Sequence, residues 1–189
     1  PTGKRIAIIG GGPSGLTTAY FLQLMGHQTV VFEEKPALGG MLRYGIPNYR
    51  FPRKRLAQDI DYILKTGVEV RLNTQIGRDI SMEDLEKEYD AVYISIGAQT
   101  DKNFDIEGAD SLNVISAVNL LRDVGLEKRL DFSGLKEAVI GGGNVAMDCA
   151  RTAVRANAEK VSIIYRRQEK DMTASPVEVR GAIEEGVEL

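Results

Sequence analysis

A chain of 189 residues, 43% hydrophobic and 27% charged, has the composition of a globular protein of one or two domains and excludes a disordered or fibrous chain. A net charge of −3 and a pI near 5.4 argue against nucleic acid and acidic membrane surfaces as partners. No apolar run approaches a membrane span, the N-terminus runs straight into a strand without a signal-peptide pattern, and the lone Cys149 excludes an internal disulfide or a cysteine-built cluster within these residues, so a reducing cytoplasm is the simplest compartment.

The first predicted unit is Arg5 to Glu33, RIAIIGGGPSGLTTAYFLQLMGHQTVVFE. It joins an apolar strand at Ile6 to Ile9, a Gly10-x-Gly12-x-x-Gly15 turn, a helix opened by Pro13 and Ser14, and a second strand, Thr29 to Phe32, closed by Glu33. Gly10 permits the tight turn, Gly12 lets the backbone approach a pyrophosphate, and Gly15 lets the helix pack closely on the strand. The free N–H groups and positive dipole end of the helix favour an anion there, and Glu33 stands where a carboxylate accepts hydrogen bonds from a ribose diol.

Next comes a stretch rich in Gly and Pro, Glu34 to Pro52, which reads as a long ordered loop of functional rather than connecting character. Gly39 and Gly40 let it lie against something flat or charged. Arg53, Lys54 and Arg55 read as a solvated helix start, followed by helical spacing of Leu56, Ile60, Ile63 and Leu64 over 54–65 and by Gly67 as C-cap. Val68 to Leu72 reads as a short strand, Ser81 with Asp84 as a helix start, and Ala91 to Ile96 as a buried strand ending at Gly97.

Asp101 to Asp110 reads as a crossing between domains, and Asn113 to Val124 resumes helical spacing. The opening pattern then returns: strand Glu137 to Ile140, the turn Gly141-Gly142-Gly143, a helix from NVAMDCARTAVRANA, and strand Lys160 to Tyr165. The spacing is Gly141-x-Gly143-x-x-Ala146, with alanine in the third glycine position. Two copies of one unit imply two dinucleotide sites. They differ where it matters: the first ends in Glu33, the second in Arg166 and Arg167, guanidinium groups that suit a 2′-phosphate, so the second site should prefer NADP(H) and the first suits FAD. Asn144 falls where its side chain can cap free N–H groups beside a pyrophosphate. Asp148 holds a neighbouring loop or is purely structural, and His27, Met147 and Cys149 read as structural. Ser175 reads as the cap of a helix with proline at its first position, and the strand begun at Val187 suggests a fragment.

These residues together resemble the family of the small (beta) subunit of NADPH-dependent glutamate synthase, which also includes the N-terminal flavin portion of dihydropyrimidine dehydrogenase and the large subunit of electron-bifurcating NADH-dependent ferredoxin:NADP oxidoreductase. The likeness spans nearly the whole chain through GGGPSG with Glu33, LGGMLRYGIPNYRFP, AVYISIGA, GGGNVAMDCARTA, and YRR followed by EEGV. It implies an α/β fold of two Rossmann-like units of the glutathione-reductase type, an FAD-binding domain over 1–101 followed by an inserted NADP(H)-binding domain over 102–189. By that resemblance Gly10, Gly12, Pro13, Ser14 and Gly15 hold the FAD pyrophosphate, Glu33 with Glu34 its ribose, Gly40, Met41, Leu42 and Arg50 its phosphate and flavin side, and Ile76 its adenine. Gly97 lies where the chain passes the flavin, and Gly142, Gly143, Asn144 and Val145 with Arg166 and Arg167 hold NADPH.

Relatives carry a cysteine-rich iron-sulfur region before the first strand and a return to the FAD domain at the end, neither of which stands in this sequence. Met172-Thr173-Ala174 also replaces a commoner Met-Pro-Ala or Arg-Ala. The implied reaction is hydride transfer from NADPH to flavin, with electrons passed to an external iron-sulfur domain or subunit, such as a glutamate synthase large subunit. No catalytic side chain or metal ligand is expected, because the chemistry belongs to the cofactors. The rivals are a ferredoxin:NAD(P)H or bifurcating oxidoreductase subunit and a non-catalytic nucleotide-binding or assembly module.

Overall fold

The computed structural model describes residues 1–100 and 107–189, so most of the expected crossing between domains, 101–110, lies outside the described residues. The backbone divides into two compact units, Pro1–Gln99 and Thr100–Leu189.

In the first unit, strands β1 (Arg5–Ile9), β2 (Gln28–Phe32), β3 (Glu69–Arg71) and β4 (Ala91–Ile94) form one parallel sheet in the order β3-β2-β1-β4. The helices are α1 (Pro13–Leu24), α2 (Met41–Tyr44), α3 (Arg53–Leu64) and α4 (Met82–Glu88). The unbroken apolar run of β1 follows from burial on both faces, as parallel sheets require. Ile8 and Val31 face Leu16, Ala19, Leu56 and Ile60 of α1 and α3, while Ala7, Val30 and Phe32 face Leu85 and Tyr89 at the end of α4. The chain leaves β1 for β2 on one side and has β4 on the other, so the carboxyl ends of β1 and β4 border a topological switch point. Ligands of open α/β sheets bind at such a point.

The elements expected over 5–33 are present as strand, turn, helix and strand, Gly67 follows α3, and the Ser81 side chain accepts a hydrogen bond from the Asp84 amide. Three expectations are corrected. The loop over 34–52 contains the short helix α2. The 91–96 strand ends at Ile94 and is largely exposed, since among the described residues it is an edge strand paired only with β1. Arg53 opens α3 but is half-buried, because its guanidinium folds back onto the loop.

The second unit holds α5 (Ala117–Gly125), β5 (Lys136–Ile140), α6 (Asn144–Arg155), β6 (Lys160–Ile164), a 3-10 turn at Glu169–Asp171 and α7 (Pro176–Glu184). Strands β5 and β6 are parallel, and Glu188 makes an isolated parallel bridge to Ser162 on the other side of β6. Small side chains on α6, Ala150 and Ala153, let it press onto Val161 and Ile163. Helix α5 begins later than the spacing suggested, because the Ser116 hydroxyl accepts from the Asn119 amide and sets the start there. Ser175 precedes α7 without a side-chain cap bond.

An ion-pair network ties α6 to α7: Arg151 reaches Glu178 and Glu185 at 2.7 Å each, and Arg155 also reaches Glu185 at 2.7 Å. Burial pushes the Glu185 carboxyl up, but the guanidinium groups of Arg155 and Arg151 together outweigh it and hold the group below its ordinary 4.5. A depressed carboxylate stabilises the fold above its unfolded value and loses that contribution as pH falls through its folded value. The thermal midpoints of wild type and Glu185→Gln should therefore differ by a constant amount at neutral pH and converge below pH 4.5. A gap that persists unchanged into acid would remove the network from the account.

Candidate dinucleotide sites

The first glycine turn is held by the fold at two of its three glycines. Gly10 has φ +105°, and a Cβ there would collide with the Ser95 carbonyl at the end of β4. A Cβ at Gly15 would overlap the Gly10 carbonyl oxygen and lie 2.8 Å from Ser95 Oγ. Ser95 locks this corner: its amide donates to the Ile9 carbonyl at 2.8 Å, and its hydroxyl lies 2.9 Å from the Ile9 and 3.2 Å from the Gly10 carbonyl. Gly12 is different. It caps α1 at φ −80°, and a Cβ there would meet nothing closer than Gly40 Cα at 3.7 Å. The fold imposes no glycine at that position, and the space beside it lies at the N-terminus of α1. Pro13 occupies the first helical position, where it lacks no needed donor, and Leu16 makes the return bond to Gly12. Ser14 Oγ pairs with the Tyr93 hydroxyl at 3.0 Å, and the hydrogen bonds of Ser14 and Thr18 hold that phenol below its ordinary value.

Glu33 is 5% exposed, and each carboxylate oxygen accepts a backbone amide at 2.8 Å, Gly11 at one and Lys35 at the other. It thus braces the middle of the turn against the end of β2, and each oxygen keeps a lone pair for a further donor. The loop closes on the same place. The Gly39 amide donates to the Gly11 carbonyl at 2.8 Å, and Gly40, at φ +50°, lies so close that a Cβ would stand 2.7 Å from Gly12 Cα. Met41 and Leu42 follow as the first residues of α2. The structure thus gathers Gly10, Gly12, Pro13, Ser14, Gly15, Glu33 and Gly40. Glu34 is paired with Lys35 at 2.7 Å, and the Arg50 amide donates to the Pro47 carbonyl at 3.0 Å. Ile76 packs partly into the Phe32, Leu85 and Tyr89 core, and Gly97 is exposed with open space around it.

The second turn repeats the logic. Gly143 caps α6 at φ −103°, and the nearest atom to a Cβ there would be Thr173 Oγ1 at 3.5 Å. Ala146 and Met147 return their amides to the Gly143 carbonyl, so the Asn144 and Val145 amides precede the first intrahelical bond. Gly142 is enforced by the Tyr165 ring, 2.7 Å from where its Cβ would lie, and its carbonyl accepts the Ala174 amide at 3.0 Å. Asn144 corrects the expected cap: its Oδ1 accepts the Ser175 amide at 2.8 Å, which pins the 173–175 loop beside the turn. Asp148 is buried within α6. Arg166 and Arg167 follow β6, both exposed, and neither is held in an ion pair among the described residues.

Among the described residues no cluster of His, Cys, Asp or Glu could hold a metal ion, and no helix is long and apolar enough to cross a membrane. Two parallel strand-glycine-helix-strand units in tandem are what a flavin- and pyridine-nucleotide-dependent oxidoreductase uses. The family model for pyridine nucleotide-disulphide oxidoreductases matches residues 4–188. The chain belongs to this family.

It is 46% identical over 188 residues to the beta subunit of the NADP(+)-dependent formate dehydrogenase of Moorella thermoacetica, covering 98% of this chain and 27% of that one. It is 38% identical over 198 residues to the small chain of glutamate synthase [NADPH] of Escherichia coli K12, covering 100% of this chain and 42% of that one. FprA of Mycobacterium tuberculosis, in complex with NADPH, superposes at a TM-score of 0.80 with 24% identity over 97% of this chain and 48% of that one, which speaks to the fold alone. The domain type is that of FAD- and NADP-binding oxidoreductases. Set against the curated relatives it matches, the chain spans between about a quarter and a half of their length.

Two features of the site were not read from the sequence. Ser95 carries the motif's corner from outside the motif, and only the position of β4 beside β1 reveals it. Gly11 lies under Leu38 and Glu33, whose side chains would both crowd a Cβ there, so the glycine run is one residue denser than the phosphate needs.

Proposed function

We propose that residues 1–101 form the FAD half and residues 102–189 the NADP(H) half of a flavin-dependent oxidoreductase of the glutamate synthase small-subunit type. The observation that carries this reading is the pair Gly12 and Gly143. Each caps the helix of its unit, each has a backbone any residue could adopt, and each leaves room for a Cβ within the protein. Glycine is needed there only if something else comes close, and at a helix N-terminus that something is an anion. When bound, FAD accepts a hydride from NADPH and hands electrons on one at a time. The residues bind and align. Gly12 and Gly40 admit the FAD diphosphate, Glu33 keeps acceptor capacity for its ribose, and Glu34, Met41, Leu42, Arg50, Ile76 and Gly97 border the adenine and flavin ends. Gly142, Gly143, Asn144 and Val145 flank the NADPH diphosphate, and Arg166 with Arg167 receives the 2′-phosphate.

In this reading the electrons leave for an iron-sulfur domain or subunit, which in a glutamate synthase would serve the large subunit. The same two sites also serve a ferredoxin:NAD(P)H or bifurcating oxidoreductase subunit. The lone buried Cys149 suits a reducing cytoplasm and leaves no dithiol for disulfide reduction. The deciding experiment reconstitutes the chain with FAD and adds NADPH without oxygen. Bound flavin should lose its visible absorbance, and NADH should act far more slowly. A chain that takes NADPH but never FAD would instead be a nucleotide-binding module.

A further inference from the structure

We infer that Arg53 is a positioning residue for FAD, the fastener that holds the 39–47 loop closed over the glycine turn. The cofactor part of this inference rests on the FAD reading of the first site. The loop has little of its own to keep it folded. Helix α2 is four residues long with no side-chain cap, far below the length at which a helix stands alone. Glycines at 39, 40 and 45 and prolines at 47 and 52 leave it few apolar side chains to pack, chiefly Leu38 and Tyr44, with Leu42 partly buried against the core. Yet its Gly39 and Gly40 must stay pressed against Gly11 and Gly12 to shape the diphosphate space.

Arg53 supplies the missing hold. One guanidinium nitrogen donates to the Leu42 carbonyl at 3.0 Å and the other to the Ile46 carbonyl at 2.8 Å, with the Phe51 carbonyl at 3.5 Å. The Arg53 amide donates to Asn48 Oδ1 at 2.8 Å. The side chain rises from the first residue of a 12-residue helix whose Leu56 and Ile60 are buried in the core, so the hold is anchored on a rigid element. Leu56 also reaches Gly39, 2.9 Å from where a Cβ would lie. A planar fork spans two carbonyls as an ammonium group cannot. Tyr44 and Arg43 tie the loop only to its own Ala37 and Leu38. Arg53 adds side-chain hydrogen bonds from α3 to the 42–46 backbone, beside the apolar packing of Leu38 and Leu42 with Leu56 and Ile60.

The test uses the full 189-residue chain as wild type, Arg53→Met and Arg53→Lys. Amide exchange across 38–47 should speed up about tenfold in Arg53→Met, the worth of one charge-assisted hydrogen bond, with β1 and α1 unchanged. FAD should bind about tenfold more weakly, and the visible circular dichroism of the bound flavin should change, with Arg53→Lys between the two. Exchange that stays put in the loop, or rises equally through β1 and α1, overturns the inference. A loosened loop with unchanged FAD affinity overturns its cofactor half. Should wild type itself bind no FAD, the reading of the site fails while the exchange data still decide what Arg53 holds.

Discussion

Gly12→Ala will keep its stability and lose flavin affinity, whereas Gly15→Ala will lower both. A methyl group at Gly12 meets only ordinary contact distance to Gly40 within the protein. As a helix cap alanine is worse than glycine by up to about 1 kcal/mol, but it removes a similar amount of unfolded-chain freedom, so the apo thermal midpoint should hardly move. On the proposed reading, the same methyl group fills the space of the FAD diphosphate. Loss of two charge-assisted backbone bonds weakens FAD by about a hundredfold or more. At Gly15 the methyl group would run into the Gly10 carbonyl and the Ser95 hydroxyl, both fixed by the sheet, and nothing flexible is there to yield. Overpacking against backbone costs about 3 kcal/mol, which lowers the midpoint of a chain this size by roughly 6–12 °C. Thermal melts of the apo chains and FAD titrations separate the two. If Gly12→Ala melts as early as Gly15→Ala, Gly12 belongs to the fold and the cradle loses its chief support.

The second unit carries the corresponding alanine naturally. Ala146 stands where Gly15 stands in the first unit, and its Cβ would be 3.5 Å from a Cβ at Gly141, an ordinary contact. One motif position is thus obligatory glycine in one copy and not in the other, a difference the spacing alone does not explain. What was legible in the sequence was periodic or local: apolar runs for β1, β2 and β6, glycines for the turns, and a Ser with an Asp three residues on for α4. What was not legible depends on partners far along the chain. Ser95 acts 85 residues from Gly10, and Glu33 braces an amide 22 residues away while also standing at the expected ribose position. Arg53 sits in a basic run that reads as solvated, since nothing in the run says that two carbonyls wait above it. Tyr93 and Ile94 look like a core strand by composition and are exposed because, among the described residues, only β1 pairs with their strand.

Replacing Arg166 and Arg167 together by alanine should weaken NADPH about a hundredfold and leave NADH within about twofold, since two charge-assisted bonds to a 2′-phosphate are lost and NADH has no such group. Both side chains are exposed and outside any ion pair among the described residues, so removing them disturbs no packing and the thermal midpoint should stay where it is. Their exposure also sets the salt dependence. Charges in water are screened over about 8 Å at physiological ionic strength, so added salt should weaken NADPH more steeply than NADH in wild type, and this difference should vanish in the double variant. Lysine at both positions keeps the charge but not the planar fork, and should recover the salt dependence with only part of the affinity. Equal losses for the two nucleotides would remove the 2′-phosphate from these residues. Because the Gly143 cradle is untouched in the double variant, NADH that still binds would locate the discrimination at the end of β6 and the common diphosphate contact at the start of α6.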